Sequence, residues 1–159
     1  MTQENKAIET VTGGTALAIR PYVDSDADRL FDLSRDWGPD HAFSREVFDL
    51  SLRGIAADPN SRLLVAEFGP DLVGYAQLVK CFYVGMAPFY EITQLLVAQS
   101  RRSAGVGAGL LRASEDIALE EGIHQIKLSS QVHRSRAHVF YEREGYDYFK
   151  ISKFFKRSF

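Results

Sequence analysis

Hydrophobic and polar residues change period along this chain, and each change marks an element. Over residues 15–22, Leu17 and Ile19 alternate with small or polar residues and Pro21 follows, which predicts a short strand ending at the proline. Leu30, Phe31, Ser34 and Trp37 then recur at helical spacing. Asp24 or Ser25 can cap this helix, Asp26 and Asp28 lie in its first turn, and Gly38-Pro39 stops it. A second helix is predicted from Ser44, with Val47, Leu50, Ser51 and Ile55 as its apolar face and Asp58-Pro59-Asn60 as the turn behind it.

From there the period is two. Residues 62–68 and 72–83 are β-rich and joined by Gly69-Pro70-Asp71, a hairpin, and residues 89–97 form a third consecutive strand. Over 106–121, Val106, Leu110, Ala113 and Ile117 share one helical face, and Gly122 is the stop. A strand at 125–130 follows, then a short helix capped by Ser135 and closed by Gly145. Last comes a stretch, 148–155, in which aromatic and aliphatic residues alternate with lysines as in a strand with one wet face or a charged edge.

At 159 residues the chain suits one domain over 15–159, with residues 1–14 read as a loose leader that lacks the basic-then-apolar order of a secretory signal. A net charge of −2 argues against a nucleic-acid binder that works by phosphate neutralisation. Nothing approaches the roughly 20 apolar residues of a membrane span, so no membrane partner is expected. The lone cysteine, Cys81, excludes an internal disulfide and suits a cytoplasmic location. No Cys/His spacing suggests a metal.

The chemistry concentrates in YEITQLLVAQSRRSAGVGAGLL, residues 90–111, where an apolar strand runs into Arg101-Arg102, then Gly105, Gly107 and Gly109, then a helix. Unpaired N–H groups at a helix N-terminus, at the positive end of its dipole, make an anion site, and glycines let the ligand approach. A Walker loop is excluded because no Gly-Lys-Ser/Thr run exists, and a dinucleotide fingerprint is a weak match because Leu110 stands where its third glycine belongs and the loop does not follow its strand tightly.

What remains is R-x-x-G-x-G, Arg102 to Gly107, between a strand and a helix. It resembles motif A of the GCN5-related N-acetyltransferase family, and Tyr141, Glu142, Gly145 and Tyr146 resemble the end of that family's motif B. The element order β-α-α-β-β-β-α-β-α-β over about residues 15–157 is also that of the family. The resemblance implies an α/β (α+β) acyl-CoA N-acyltransferase fold with a central mixed, mostly antiparallel sheet flanked by helices. It also implies direct transfer of an acetyl group from acetyl-CoA, the donor substrate, to an amine.

By the same resemblance, the main chain of Leu95, Leu96 and Val97 faces the thioester and pantetheine. Arg102, Ser103, Ala104, Gly105, Val106, Gly107 and Ala108 hold the pyrophosphate, and Arg134 stands where relatives contact the pantetheine arm. Tyr141 is the general acid for the departing thiolate, and a phenol with a pKa near 10 is protonated at neutral pH.

For the base, Glu91 is preferred, as a charged residue within an apolar strand and in phase with Thr93, Leu95 and Val97. His133 or an ordered water is the alternative. His41, His124 and His138 read as surface residues, and Cys81 as a small hydrophobe rather than an acyl carrier. Phe82-Tyr83, Phe89-Tyr90 and Trp37 are candidates for an acceptor pocket or for ordinary packing, and Asp36 and Asp40 would suit a cationic acceptor. The lysine-spaced final stretch would suit pairing in a homodimer. The competing function is a non-catalytic acyl-CoA sensor of the same fold, against which an intact Tyr141 argues.

Overall fold

The computed structural model describes residues 8–12, 15–38 and 43–159, so Asp40 and His41 lie outside the described residues. It divides into two compact units, Met1–Ser129 and Ser130–Phe159. In the first, six strands form one sheet in sequence order: β1 (Ile8–Thr12), β2 (Thr15–Pro21), β3 (Ser61–Phe68), β4 (Asp71–Cys81), β5 (Phe89–Val97) and β6 (Ile126–Leu128). Neighbours from β1 to β5 are antiparallel and β6 joins β5 in parallel. A parallel neighbour requires a crossover, supplied by α3 (Val106–Glu120). The strand β1 falls within the stretch read as a leader and pairs with β2 along its whole length, Ile8 opposite Ile19 and Thr12 opposite Thr15.

Between β2 and β3 run a 3-10 turn (Asp24–Asp26), α1 (Ala27–Ser34), a second 3-10 turn (Arg35–Trp37) and α2 (Arg45–Ala57). Gly38, at φ 101°, ends the second turn, a conformation that only glycine adopts readily. The Ser44 hydroxyl caps α2 by accepting from the Val47 N–H at 3.3 Å. Arg20 ties α1 to the sheet: its guanidinium donates to both oxygens of the fully buried Asp26 carboxylate, at 2.7 and 2.8 Å, and to Glu67. These bonds hold the Asp26 carboxyl down at about 2.

The expected face of α2 is wrong by one residue. Phe48 is buried, whereas Val47 and Leu50 are 54% and 64% exposed. Phe48 packs edge-on to Phe31 at 5.1 Å and stacks on Phe43 at 6.0 Å. An aromatic ring buries more apolar area than a valine or leucine, so this cluster sets the helix rotation. Leu30, Leu33 and Phe48 cover Val65, Tyr75 and Leu96 on one side of the sheet.

The helix α3 lies on the other side. A Cβ on Gly74 of β4 would sit 3.0 Å from Val106 Cγ1, and one on Gly109 of α3 would sit 2.7 Å from Ile19 Cδ1. Gly109 is therefore a close-packing glycine under the helix, not one that clears space for a ligand as its place in the glycine run suggested.

The second unit contains α4 (Ser135–Arg143), whose N-cap residue is Arg134 and not the expected Ser135, and Gly145 at φ 90° follows the Glu144 C-cap. Residues 148–155, expected as a strand, have no strand structure, and Tyr148, Phe149, Ile151, Phe154 and Phe155 are exposed. Alternation supplies a strand with a face but not with a neighbour for its N–H and C=O groups.

Candidate active site

The C-terminal half of β5 departs from a regular strand in two ways. Ile92 pairs with Leu78 and Gln94 with Gln77, so Thr93 has no counterpart on β4, a bulge held by its hydroxyl donating to the Gln77 carbonyl at 3.3 Å. The bulge breaks the side-chain alternation. Partners across a ladder share a face, so Glu91, Gln94 and Leu96 lie with Tyr75 and Val79, whereas Ile92, Leu95 and Val97 lie with Gly74, Ala76 and Leu78 on the α3 side. The expectation that Glu91 is in phase with Leu95 and Val97 is thus corrected, because one inserted residue reverses every later side chain.

The second departure is on the opposite edge. Pairing of β6 ends at Ile92 with Leu128, so residues 93–97, including Leu95, Leu96 and Val97, have a strand partner on the β4 side only. Main-chain groups of a strand point alternately to its two sides, and those aimed away from β4 here have no sheet partner among the described residues.

After Val97 the Ala98 N–H donates to the Val73 carbonyl at 2.8 Å, and one 3-10 turn, Gln99–Arg101, follows. The Arg101 guanidinium lies over the Phe68 ring at 4.8 Å, whereas Arg102 is exposed. Ser103 is left-handed at φ 64° and Gly105 at φ 80°, a pair of reversals that swings the chain into α3. Ser103, Ala104 and Gly105 are exposed.

Gly105 is the N-cap residue of α3, with no side-chain cap, and its carbonyl takes the Gly109 N–H at 2.9 Å. The N–H groups of Val106, Gly107 and Ala108 precede that first helical bond and have no intrahelical partner. The side chains of Val106 and Ala108 are buried, so any ligand meets these two residues through their main chain. Three convergent donors at the positive end of a helix beside an exposed arginine fit a diphosphate.

A polar network on the face away from α3 was not legible in the sequence. Trp37 Nε1 donates to the Tyr75 hydroxyl at 2.6 Å, and that hydroxyl donates to Gln94 Oε1 at 3.3 Å. Tyr75 is buried, which pushes its pKa up. The only hint was a glutamine inside an otherwise apolar strand end. Asp36, one residue before Trp37, accepts the Gln99 N–H.

The aromatic residues suggested as one acceptor pocket separate. Trp37 meets Tyr75, whereas Phe82 lies seven residues further along, roughly 20 Å at strand spacing. Phe89 and Tyr90 are buried, and Phe82 lines a different cavity of about 390 Å³ with Lys80, Pro88, Ile123 and His124. Glu91 is half-buried, with Lys127 its register partner on β6. Burial, then Glu91, pushes the Cys81 thiol up, the wrong direction for an acyl-carrying thiolate.

In the second unit, Tyr141 is half-buried on α4, with its ring 5.2 Å from Phe140 and 6.2 Å from Tyr146. Burial raises its pKa against the opposing charge of Arg134 two turns earlier, so the phenol holds its proton through the neutral range. Arg134 and His133 are exposed. No helix among the described residues is long and apolar enough to cross a membrane, and no group of three or more His, Cys, Asp or Glu side chains among them is arranged to hold a metal.

The acetyltransferase (GNAT) family model matches residues 27–146. An uncharacterised N-acetyltransferase, YhfO, of Bacillus subtilis is 30% identical over 135 residues, covering 81% of this chain and 89% of that one. An aminoalkylphosphonate N-acetyltransferase of Salmonella typhimurium is 33% identical over 99 residues, covering 60% and 64%. In structure, an aminoglycoside N-acetyltransferase, AAC(6')-Iy, solved with CoA superposes with a TM-score of 0.81 at 15% identity, over 93% of this chain and 99% of that one. The strand-end, glycine-loop and first turn of the helix lie within the residues that the family model matches, and the chain belongs to the GNAT family of acetyl-CoA-dependent N-acetyltransferases.

Proposed function

We propose that this acetyltransferase acts on a small-molecule amine, with the N-terminus of α3 as its diphosphate clasp. The observation that carries this reading is the run of unclaimed N–H groups at Val106, Gly107 and Ala108 behind the exposed turn of Ser103, Ala104 and Gly105. Arg102 adds a charged donor to the same diphosphate. Acetyl-CoA supplies an activated thioester, and the unpartnered side of Leu95, Leu96 and Val97 offers main-chain donors and acceptors to align it.

An alkylammonium must lose a proton before it attacks. Glu91 takes that proton, directly or through an ordered water, and His133 is the alternative base. Tyr141 returns a proton to the leaving sulfur, and its raised pKa keeps that proton in place at neutral pH. Arg134 contacts the pantetheine arm. Relatives named for aminoalkylphosphonate and aminoglycoside acetylation support a small polar amine as the acceptor. The lone cysteine supports a cytoplasmic site of action. The exposed apolar residues from Tyr148 to Phe155 support a homodimer formed through that stretch.

Thermal denaturation with and without acetyl-CoA tests the clasp, because a ligand that binds only the folded state raises the melting temperature. Release of free thiol with a panel of amino acids, aminoalkylphosphonates, aminoglycosides, polyamines and alkylamines then separates an enzyme from an acyl-CoA sensor. A shift in melting temperature with no thiol released by any amine would favour the sensor.

A further inference from the structure

The Trp37–Tyr75–Gln94 relay has a direction set by chemistry. Indole N–H can only donate, so the Tyr75 oxygen is the acceptor for Trp37 and its own proton goes onward, to Gln94 Oε1. With that hydroxyl as the donor, the Gln94 carboxamide has its oxygen inward and its NH₂ outward. Gln94 is exposed, so its two N–H donors face solvent.

Position gives this orientation a use. Gln94 sits next to the Thr93 bulge and two residues before Leu96, about 7 Å along the strand, on the face away from α3. The α3 side of the strand leads to the proposed diphosphate clasp, and on the opposite face α1 and α2 cover Tyr75 and Leu96 but leave Gln94 exposed to the other substrate. A buried tyrosine that spends its proton on holding one exposed glutamine is costly to arrange for packing alone: a phenylalanine would fill the same space without a hydroxyl to satisfy. Glu91 is on the same face, so an ammonium drawn toward that carboxylate would carry its neighbouring atoms past Gln94.

We infer that the Gln94 carboxamide selects the acceptor by donating N–H to an oxygen that the acceptor carries close to its reacting amine, a hydroxyl, carboxylate or phosphonate oxygen. Tyr75 and Trp37 are positioning residues that hold the amide in that orientation. This rests on the acetyl-transfer reading above and adds a substrate class to it: amines with a nearby oxygen function, in preference to polyamines and alkylamines.

The test compares kcat/KM for ethanolamine, 2-aminoethylphosphonate and an aminoglycoside with kcat/KM for spermidine and propylamine, in wild type and Gln94→Glu. The glutamate keeps an oxygen for the Tyr75 hydroxyl, so the relay stays satisfied, but it presents no donor outward. The expected result is a wild-type preference for the oxygen-bearing amines that falls at least tenfold in the variant. Tyr75→Phe, which frees the amide to turn, should raise KM for the oxygen-bearing amines several-fold more than it changes kcat, with KM for acetyl-CoA held. A preference unchanged in Gln94→Glu, or a wild-type enzyme that favours spermidine and propylamine, overturns the inference and leaves acetyl transfer standing. Absence of thiol release with every amine overturns acetyl transfer itself.

Discussion

The Asp36 carboxylate accepts the Gln99 N–H at 2.9 Å, joining the 3-10 turn after α1 to the first residue of the turn that leads from β5 into the glycine loop. Asp36 was a candidate for attracting a cationic acceptor. One of its oxygens is engaged with main chain, where it fixes the start of the segment that ends in the proposed clasp.

Asp36→Ala should therefore weaken acetyl-CoA binding about fivefold, the equivalent of ~1 kcal/mol for a hydrogen bond that orders the loop. Asp36→Asn retains an acceptor oxygen and should recover most of the loss. Calorimetric titration with acetyl-CoA checks both.

Two glycines of one run should behave differently. Gly107→Val puts a branched side chain beside unclaimed N–H groups and should weaken acetyl-CoA binding by about tenfold or more, with the fold retained. Gly109→Val drives a side chain into Ile19 and Leu17, whose atoms lie 2.7 and 3.3 Å from a Cβ at that position, and should cost about 2 kcal/mol of stability. Denaturant melts and titrations on the two variants separate the roles.

Tyr141→Phe removes the proposed proton donor and should lower kcat about 100-fold while KM for acetyl-CoA changes little. Because burial raises the phenol's pKa, its protonated form persists to higher pH. The wild-type rate should then show no loss of this acid below about pH 10. An alkaline limb near neutrality that disappears in Tyr141→Phe would contradict the assignment.

Asp26 makes an acid-stability prediction. Its folded value of about 2 lies below the ordinary 3.8, so the carboxylate stabilises the fold above 3.8 and that contribution is lost as pH falls toward 2. Thermal melts should be insensitive to this group from pH 8 to 5 and fall from about pH 4 downward. Asp26→Asn leaves Arg20 and Arg29 without their buried partner and should cost about 3 kcal/mol, roughly 10 °C of melting temperature, with a shallower acid limb.

Much of this protein was readable in its residues because the deciding physics is local. Hydrophobic period and the stops at Gly69 and Gly122 placed α3, the hairpin of β3 and β4, and β5 to within a residue or two. The helix N-terminus proposed as the clasp was legible for the same reason: unpaired N–H groups there are a property of the helix and its glycine, whatever packs nearby. What packing decides was beyond reach. The rotation of α2 depends on three phenylalanines finding one another, the role of Gly109 on the closeness of β2, and the face of Glu91 on a bulge visible only in the register with β4. The strand expected at 148–155 needed a neighbour that no pattern of its own residues could specify. The Trp37–Tyr75–Gln94 relay joins residues 38 and 19 positions apart, and only the folded sheet brings such distant polar groups within hydrogen-bond reach.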